Sequence, residues 1–204
     1  MASSTPSLCL LFTPDECRSD PWQTLARAVA GGVDLVQWRR KGDARPGSER
    51  CRALCAELGV PMVVNDDVDL AVALDAAGAH VGQDDLAPAQ ARARLGPTRW
   101  LGVSTHDLAQ LEAAQTAGAD YVGFGPCYPT ATKGYAVGLG PEAAGEATRI
   151  ARIPVFAIGG IDAIRARELA RAGCRAIAVS AAVLTAEDPR QVAAALRAAL
   201  ATTA

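Results

Sequence analysis

The stretch PMVVNDDVDLAVALDAAGAHVGQDD, residues 61–85, decides the fold. It opens on a short apolar run, ProMetValValAsn, and closes that run with AsnAspAsp. It then crosses a segment of helical length and reaches a second β-rich run that closes on GlyGlnAspAsp. A short run that is apolar throughout suits a strand covered on both faces. Strand, helix, strand in succession demands parallel pairing, because the helix carries the chain back to begin the next strand beside the last. Outward in both directions the unit recurs, with β-rich runs at 8–13, 34–39, 61–65, 79–82, 99–104, 121–125, 154–158 and 176–180. Each is followed by an Ala-rich stretch of helical length.

Eight such units close a barrel, although a doubly wound open sheet shares the alternation. The placement of polar residues separates the two. GlnTrpArgArgLys closes strand 2, AsnAspAsp strand 3, GlyGlnAspAsp strand 4 and SerThrHis strand 5. Strand 6 leads into ProCysTyrProThrAlaThrLys, strand 7 into GlyGly and strand 8 into SerAla. An open sheet gathers its chemistry at one switch point, whereas a barrel draws it from the C-terminal ends of many strands. The expected fold is therefore α/β, a (β/α)8 TIM barrel, in a single domain over residues 1–204. Gly-Ala or Gly-Val pairs at 32–33, 59–60, 78–79 and 118–119 suit helix C-caps leading into the next strand. The longest connection, 126–141, carries Gly, Pro, Thr and Lys and suits a mobile loop closing over a substrate.

Composition agrees with a layered barrel core. Half of the 204 residues are apolar but only 4% are aromatic, so the interior must be built from Ala, Val, Leu and Ile. A formal charge of -2 and no basic cluster give no footprint for nucleic acid or an anionic membrane. The apolar runs are too short to span a bilayer and no signal core is visible, so the protein is expected in the cytoplasm. Six scattered cysteines in a chain of this size do not suggest a disulfide framework. Cys51 and Cys55, one helical turn apart, lack the second pair that zinc would need and suit a packed helix face.

Gln37, Arg39 and Lys41 alternate at a strand end and so point the same way while the chain stays extended. Two cations and an amide make an anion clamp; the same pattern also suits a solvated charged turn, and Arg40 on the opposite face suits the surface. Asn65 and Asp66 end strand 3, and Asp84 and Asp85 end strand 4. Asp67 and Asp69 are explained by capping and the helix dipole. Carboxylates from neighbouring strands held close repel unless a proton or cation lies between them, and beside a phosphate clamp the natural cation is magnesium. Two independent caps would leave the same signature. Ser104 ends strand 5; His106 just past it is expected at the surface, and His80 as a hydrogen-bonded core residue. Thr130, Thr132 and Lys133 add hydroxyls and a third cation, a set that suits a diphosphate. Gly159 and Gly160 after strand 7, with Ser180 and Ala181 after strand 8, stand where barrels bind phosphate through backbone N–H groups.

As an ordered set, ValGlnTrpArgArgLys (36–41), ValAsnAspAsp (64–67), HisValGlyGlnAspAsp (80–85), GlyValSerThrHis (102–106), GlyProCysTyrProThrAlaThrLys (125–133) and AlaIleGlyGlyIle (157–161) resembles the thiamine phosphate synthase family from strand 1 to strand 8. The resemblance implies a transferase that joins a hydroxymethylpyrimidine diphosphate to a (carboxy)thiazole phosphate. Diphosphate would leave first, and the thiazole nitrogen would capture the resulting pyrimidine-stabilised methylene cation. It implies Gln37, Trp38, Arg39, Arg40, Lys41, Asn65, Ser104 and Lys133 around the pyrimidine diphosphate, with Arg39, Lys41 and Lys133 catalytic. It implies one magnesium ion on Asp66 and Asp85, and Thr130, Ala131, Thr132, Gly160, Ser180 and Ala181 around the thiazole phosphate. Ala181 departs from the serine that family members often carry, and Cys127 and Trp38 replace commoner aliphatic residues. The expected partners are these small molecules, with no nucleic acid and no membrane; a homo-oligomer is left open. A related thiazole tautomerase shares the phosphate site but depends on a histidine after strand 6, where this chain has Pro126. A third reading, a barrel that binds thiamine precursors without turnover, would not need every charged group retained.

Overall fold

The computed structural model describes residues 5–40, 42–130 and 137–201. Eight parallel strands form a closed barrel in chain order: β1 (Leu8–Phe12), β2 (Leu35–Trp38), β3 (Met62–Asn65), β4 (Gly78–Val81), β5 (Trp100–Thr105), β6 (Tyr121–Phe124), β7 (Val155–Ile158) and β8 (Ala176–Val179). Closure is made by β1 against β8, where Leu10 pairs with Val179 while its other edge pairs with Val36. Every strand bound lies within one residue of the expected one.

Period-two alternation divides each strand between two cores. In β1, Leu8, Leu10 and Phe12 face the helices, while Cys9 and Leu11 face the barrel interior. The interior cluster is small and adds Leu35, Val63, Tyr121, Phe156, Ala176 and Ala178, so the barrel is filled rather than hollow. The outer layer consists of α1 (Pro21–Ala30), α2 (Ser48–Glu57), α3 (Val68–Ala73), α4 (Pro88–Leu95), α5 (Leu108–Thr116), α6 (Gly140–Ile150), α7 (Ala163–Arg171), the short α8 (Ala181–Leu184) and α9 (Pro189–Ala201). Five of these start on an aspartate whose carboxylate accepts an amide hydrogen of the first turn: Asp20, Asp67, Asp107, Asp162 and Asp188. Each cap contributes about 1 kcal/mol and fixes where the loop above the barrel ends. Cys51 and Cys55 are buried in α2 as expected, and the six cysteines are free thiols.

Gly32, Gly59 and Gly118 have positive φ just after helices, in keeping with C-caps. Gly78 differs. It is the first residue of β4, φ there is not positive, and a Cβ would overlap the backbone carbonyl of Trp100. Close approach of β4 to β5, rather than a cap, requires this glycine.

Candidate active site

The C-terminal ends of the strands open onto two cavities that share Arg39, Ser104 and His106. One, of about 260 Å³, is polar and bounded by the ends of β3 and β4: Asn65, Asp66, Gly82, Gln83, Asp84 and Asp85. The other, of about 300 Å³, lies across the ends of β6, β7 and β8 and includes Thr130, Gly159, Gly160, Arg165, Ser180 and Ala181.

The acidic cavity follows from how β3 stops. The amide of Asp66 donates to the His80 carbonyl at 2.7 Å, holding the chain to β4. Asp67 turns away to cap α3, accepting from Leu70 N at 2.8 Å. Between the two constraints Asp66 takes φ 64°, a left-handed conformation that aspartate tolerates better than most residues. Its carboxylate accepts from Asn65 Nδ2 at 2.5 Å. Across the cavity Asp85 Oδ2 accepts from the Gly82 amide at 2.7 Å. Gln83 Nε2 donates to the Ser104 carbonyl at 2.5 Å, tying this loop to β5. Asp69, read as a helix-dipole residue, also pairs with Arg94 on α4 at 2.9 Å.

Arg39 stands between the cavities, its amide anchored to the Phe12 carbonyl at 2.9 Å. Its neighbours in the expected clamp divide. Gln37 lies one layer below, almost buried inside the barrel opposite Leu11 and Val63. There burial pushes the Tyr121 phenol well up, while a hydrogen bond with the Gln37 side chain works the other way. Trp38 faces outward. It is fully buried among the helices, packs against Phe12 and donates its indole N–H to the Ala44 carbonyl at 2.8 Å. Its side chain therefore borders neither cavity, and its place around the pyrimidine rests on the resemblance. Arg40 lies on the opposite face, as alternation implied: its guanidinium donates to the Pro46 carbonyl at 2.8 Å and pairs with Asp15 at 3.3 Å. Both follow from strand alternation, which sends residue 38 outward and leaves residue 40 beyond the barrel wall. Lys41, Ala131, Thr132 and Lys133, with the centre of the expected mobile loop, lie outside the described residues.

Ser104 is held from beneath. His80 Nε2 lies 2.9 Å from its Oγ, and His80 Nδ1 faces the Tyr121 hydroxyl at 3.3 Å. His80 is thus the buried, hydrogen-bonded residue expected. His106 is not the surface residue expected; it lines both cavities. Its Nδ1 lies 2.5 Å from the Gly125 carbonyl, and since a carbonyl only accepts, Nδ1 carries a hydrogen. The available signal was its position between the end of β5 and the Asp107 cap.

Gly159 (φ 99°) and Gly160 (φ 63°) turn the chain sharply after β7. A Cβ on Gly159 would lie 2.6 Å from the Pro126 Cβ, and one on Gly160 2.5 Å from the Pro129 carbonyl oxygen. The glycines are thus required by the loop leaving β6, which packs directly on them, as well as suiting phosphate approach. Ser180 Oγ donates to the Leu11 carbonyl at 3.1 Å, so its one hydroxyl hydrogen is committed to β1. Arg165 and Asp162 also line this cavity and were not singled out from the sequence.

Among the described residues, no group of three or more His, Cys, Asp or Glu side chains is arranged to hold a metal ion. Magnesium asks for less, commonly one or two carboxylates with substrate phosphates and water completing the shell. Asp66 and Asp85 line one polar cavity and fit that demand; a carboxylate has two oxygens, so the Gly82 contact to Asp85 does not exclude a cation.

Fold and site together define a (β/α)8 barrel with two cavities, one acidic and one glycine-lined, that meet at an arginine on the C-terminal face. Within that class the chain belongs to the thiamine monophosphate synthase family, whose profile matches residues 8–183. It is 43% identical over 188 residues to the thiamine-phosphate synthase of Synechococcus sp. (strain WH7803), covering 89% of this chain and 53% of that protein. It is 41% identical over 207 residues to that of Chlorobium luteolum, covering 98% of this chain and 95% of the relative. The chain therefore spans about half the length of some curated relatives and nearly all of others. The solved thiamine phosphate pyrophosphorylase from Pyrococcus furiosus superposes with a TM-score of 0.85 at 31% identity, covering 96% of this chain and 95% of that one.

Proposed function

We propose that the protein is a thiamine phosphate synthase, joining a hydroxymethylpyrimidine diphosphate to a thiazole phosphate with release of diphosphate. The observation that carries this reading is the sharing of Arg39 and Ser104 by the two cavities, so that two ligands entering separately come together beside one cation and one oriented hydroxyl. Family membership and the relatives' names support it.

On this reading the acidic cavity takes the diphosphate end. Departure of diphosphate concentrates negative charge on the leaving oxygens, and Arg39, with Lys41 and Lys133 beyond the described residues, would meet that charge as it develops. Asn65 and Ser104 would fix the pyrimidine, and Asp66 and Asp85 would hold magnesium. When bound, the ion supplies further positive charge to the diphosphate oxygens. The glycine-lined cavity takes the thiazole phosphate, with Thr130, Gly160 and the backbone at Ala181 as donors. Because Ser180 spends its hydrogen on Leu11, backbone amides rather than that hydroxyl would serve the phosphate. Displacement by a ring nitrogen needs no general base, so alignment of the two reactants supplies most of what remains.

Purified protein given both precursors and magnesium should release diphosphate and form thiamine phosphate, and a chelator should stop both. Isomerisation of the carboxythiazole phosphate without diphosphate release would instead identify a tautomerase. The cytoplasm is the proposed location; the free thiols support it, and among the described residues no helix is long and apolar enough to cross a membrane.

A further inference from the structure

The glycine-lined cavity contains a cation that the reading above leaves without a task. Arg165 stands on the first turn of α7, three residues past the Asp162 cap, and its side chain lines the cavity. Its Nη1 donates to the Gly160 carbonyl at 2.5 Å, and its guanidinium carbon lies 4.9 Å from the centre of the Tyr128 ring. Tyr128 belongs to the loop leaving β6. Its amide donates to the Gly159 carbonyl at 3.2 Å and its hydroxyl to Glu168, also on α7, at 2.7 Å. One guanidinium therefore joins the glycine turn after β7 to the base of the loop that carries Thr130.

Two physical consequences follow. The carbonyl and the next amide of a trans peptide point in opposite directions, so pinning Gly160 O fixes the direction of the Ile161 N–H, and both residues border the cavity. Nor is the charge held in an ion pair among the described residues. Asp162, the carboxylate beside it, turns Oδ1 to the amides of Ile164 and Arg165 and caps the helix instead of bridging to the guanidinium. A guanidinium held by a carbonyl and an aromatic face, with no carboxylate at ion-pair distance among the described residues, keeps donors for an anion in the adjacent space.

We propose that Arg165 is a binding residue for the phosphate monoester of the ligand in this cavity, contacting that group while it holds the Gly160 turn and the Tyr128 loop around it. The proposal rests on the assignment of this cavity to the thiazole phosphate. Arg165→Met keeps the apolar stem and removes the fork; Arg165→Lys keeps the charge. Loss of one charge-assisted contact corresponds to roughly a ten- to hundredfold change in affinity. Arg165→Met should raise KM for the thiazole phosphate by that factor, leave KM for the pyrimidine diphosphate unchanged and change kcat by less than about threefold, and Arg165→Lys should recover part of the loss. With the unphosphorylated thiazole alcohol as acceptor, the substitution should cost almost nothing. Calorimetric titration of thiazole phosphate into wild type and Arg165→Met, without pyrimidine, reads the anion contact apart from catalysis and should show the same loss. Equal losses with phosphate and alcohol would reduce Arg165 to a brace of the fold, and no loss with either would make it a surface residue; both overturn the proposal. Failure of the wild type to bind thiazole phosphate would overturn it too, whereas binding without product formation would sink the synthase reading and leave the anion contact standing.

Discussion

His80 Nε2 lies 2.9 Å from Ser104 Oγ, and the other ring nitrogen faces the Tyr121 hydroxyl at 3.3 Å, so a buried imidazole connects the barrel interior to a hydroxyl bordering both cavities. The orientation of Ser104 is thus set from below before any ligand arrives. His80→Phe keeps a ring of similar size and deletes both bonds. Each hydroxyl left without that partner should cost about 1–3 kcal/mol of unfolding free energy, read as a lower urea midpoint. Activity should fall about tenfold, equivalent to about 1.4 kcal/mol of misplaced transition-state contact. Unchanged steady-state kinetics in a stably folded variant would show that Ser104 needs no such orientation.

Asp66 combines a left-handed backbone with a place beside Asp84 and Asp85 in the lining of a polar cavity. Asparagine tolerates that backbone almost as well, so Asp66→Asn should fold with near wild-type stability. It lacks the charge, however, and the magnesium concentration needed for half-maximal rate should rise at least about tenfold, the order expected when a metal-site residue is altered. Asp66→Ala should show the same kinetic loss together with about 1–2 kcal/mol of destabilisation, because alanine is ill suited to positive φ. A magnesium titration that superposes on the wild type would remove Asp66 from the metal site.

Gly160→Ala tests the other half of the mouth. At φ 63° a side chain is disfavoured by roughly 1 kcal/mol before any contact is counted, and the new Cβ would meet the Pro129 carbonyl at 2.5 Å. The loop leaving β6 must then move away from the turn. KM for the thiazole phosphate should rise severalfold or more while KM for the pyrimidine diphosphate stays near its starting value. Equal rises in both would mean that the two cavities are not separate subsites.

The barrel was readable because its information is periodic. Runs such as ProMetValValAsn and AlaIleAlaValSer recur at unit spacing, and polar residues at their C-terminal ends distinguish a barrel from an open sheet. What local pattern could not convey was direction beyond the strands. Along β2 alternation does convey it, sending Trp38 into the outer core and Arg40, two residues on, to Asp15 and Pro46. His106 and Arg165 lie where no such period operates. Each belongs to a loop or first helical turn whose side-chain direction depends on tertiary contacts, a bond to Gly125 in one case and to Gly160 in the other. Gly78 resembled a cap because a glycine before a strand usually is one; only the approach of Trp100 revealed its purpose.

The free thiols make stability fall in alkali, and the sign follows from the direction of their shifts. Burial pushes the Cys127 thiol up from 9.0 to about 12, and burial with the Glu16 charge pushes Cys17 up from 9.0 to about 11. Burial likewise raises Cys174, and a hydrogen bond with Cys55 raises Cys51. The folded protein therefore keeps protons that the unfolded chain releases once the pH passes the ordinary thiol range. The contribution is fully present below about pH 9 and is lost as pH rises from there toward the folded values. For each buried thiol the slope is at most about 1.4 kcal/mol per pH unit. The melting temperature should stay level from neutrality to the ordinary thiol range and then drop with rising steepness, and Cys127→Ala should soften the drop. A melting temperature that is level throughout the alkaline range, or that falls already below neutrality, would contradict this account of the buried thiols.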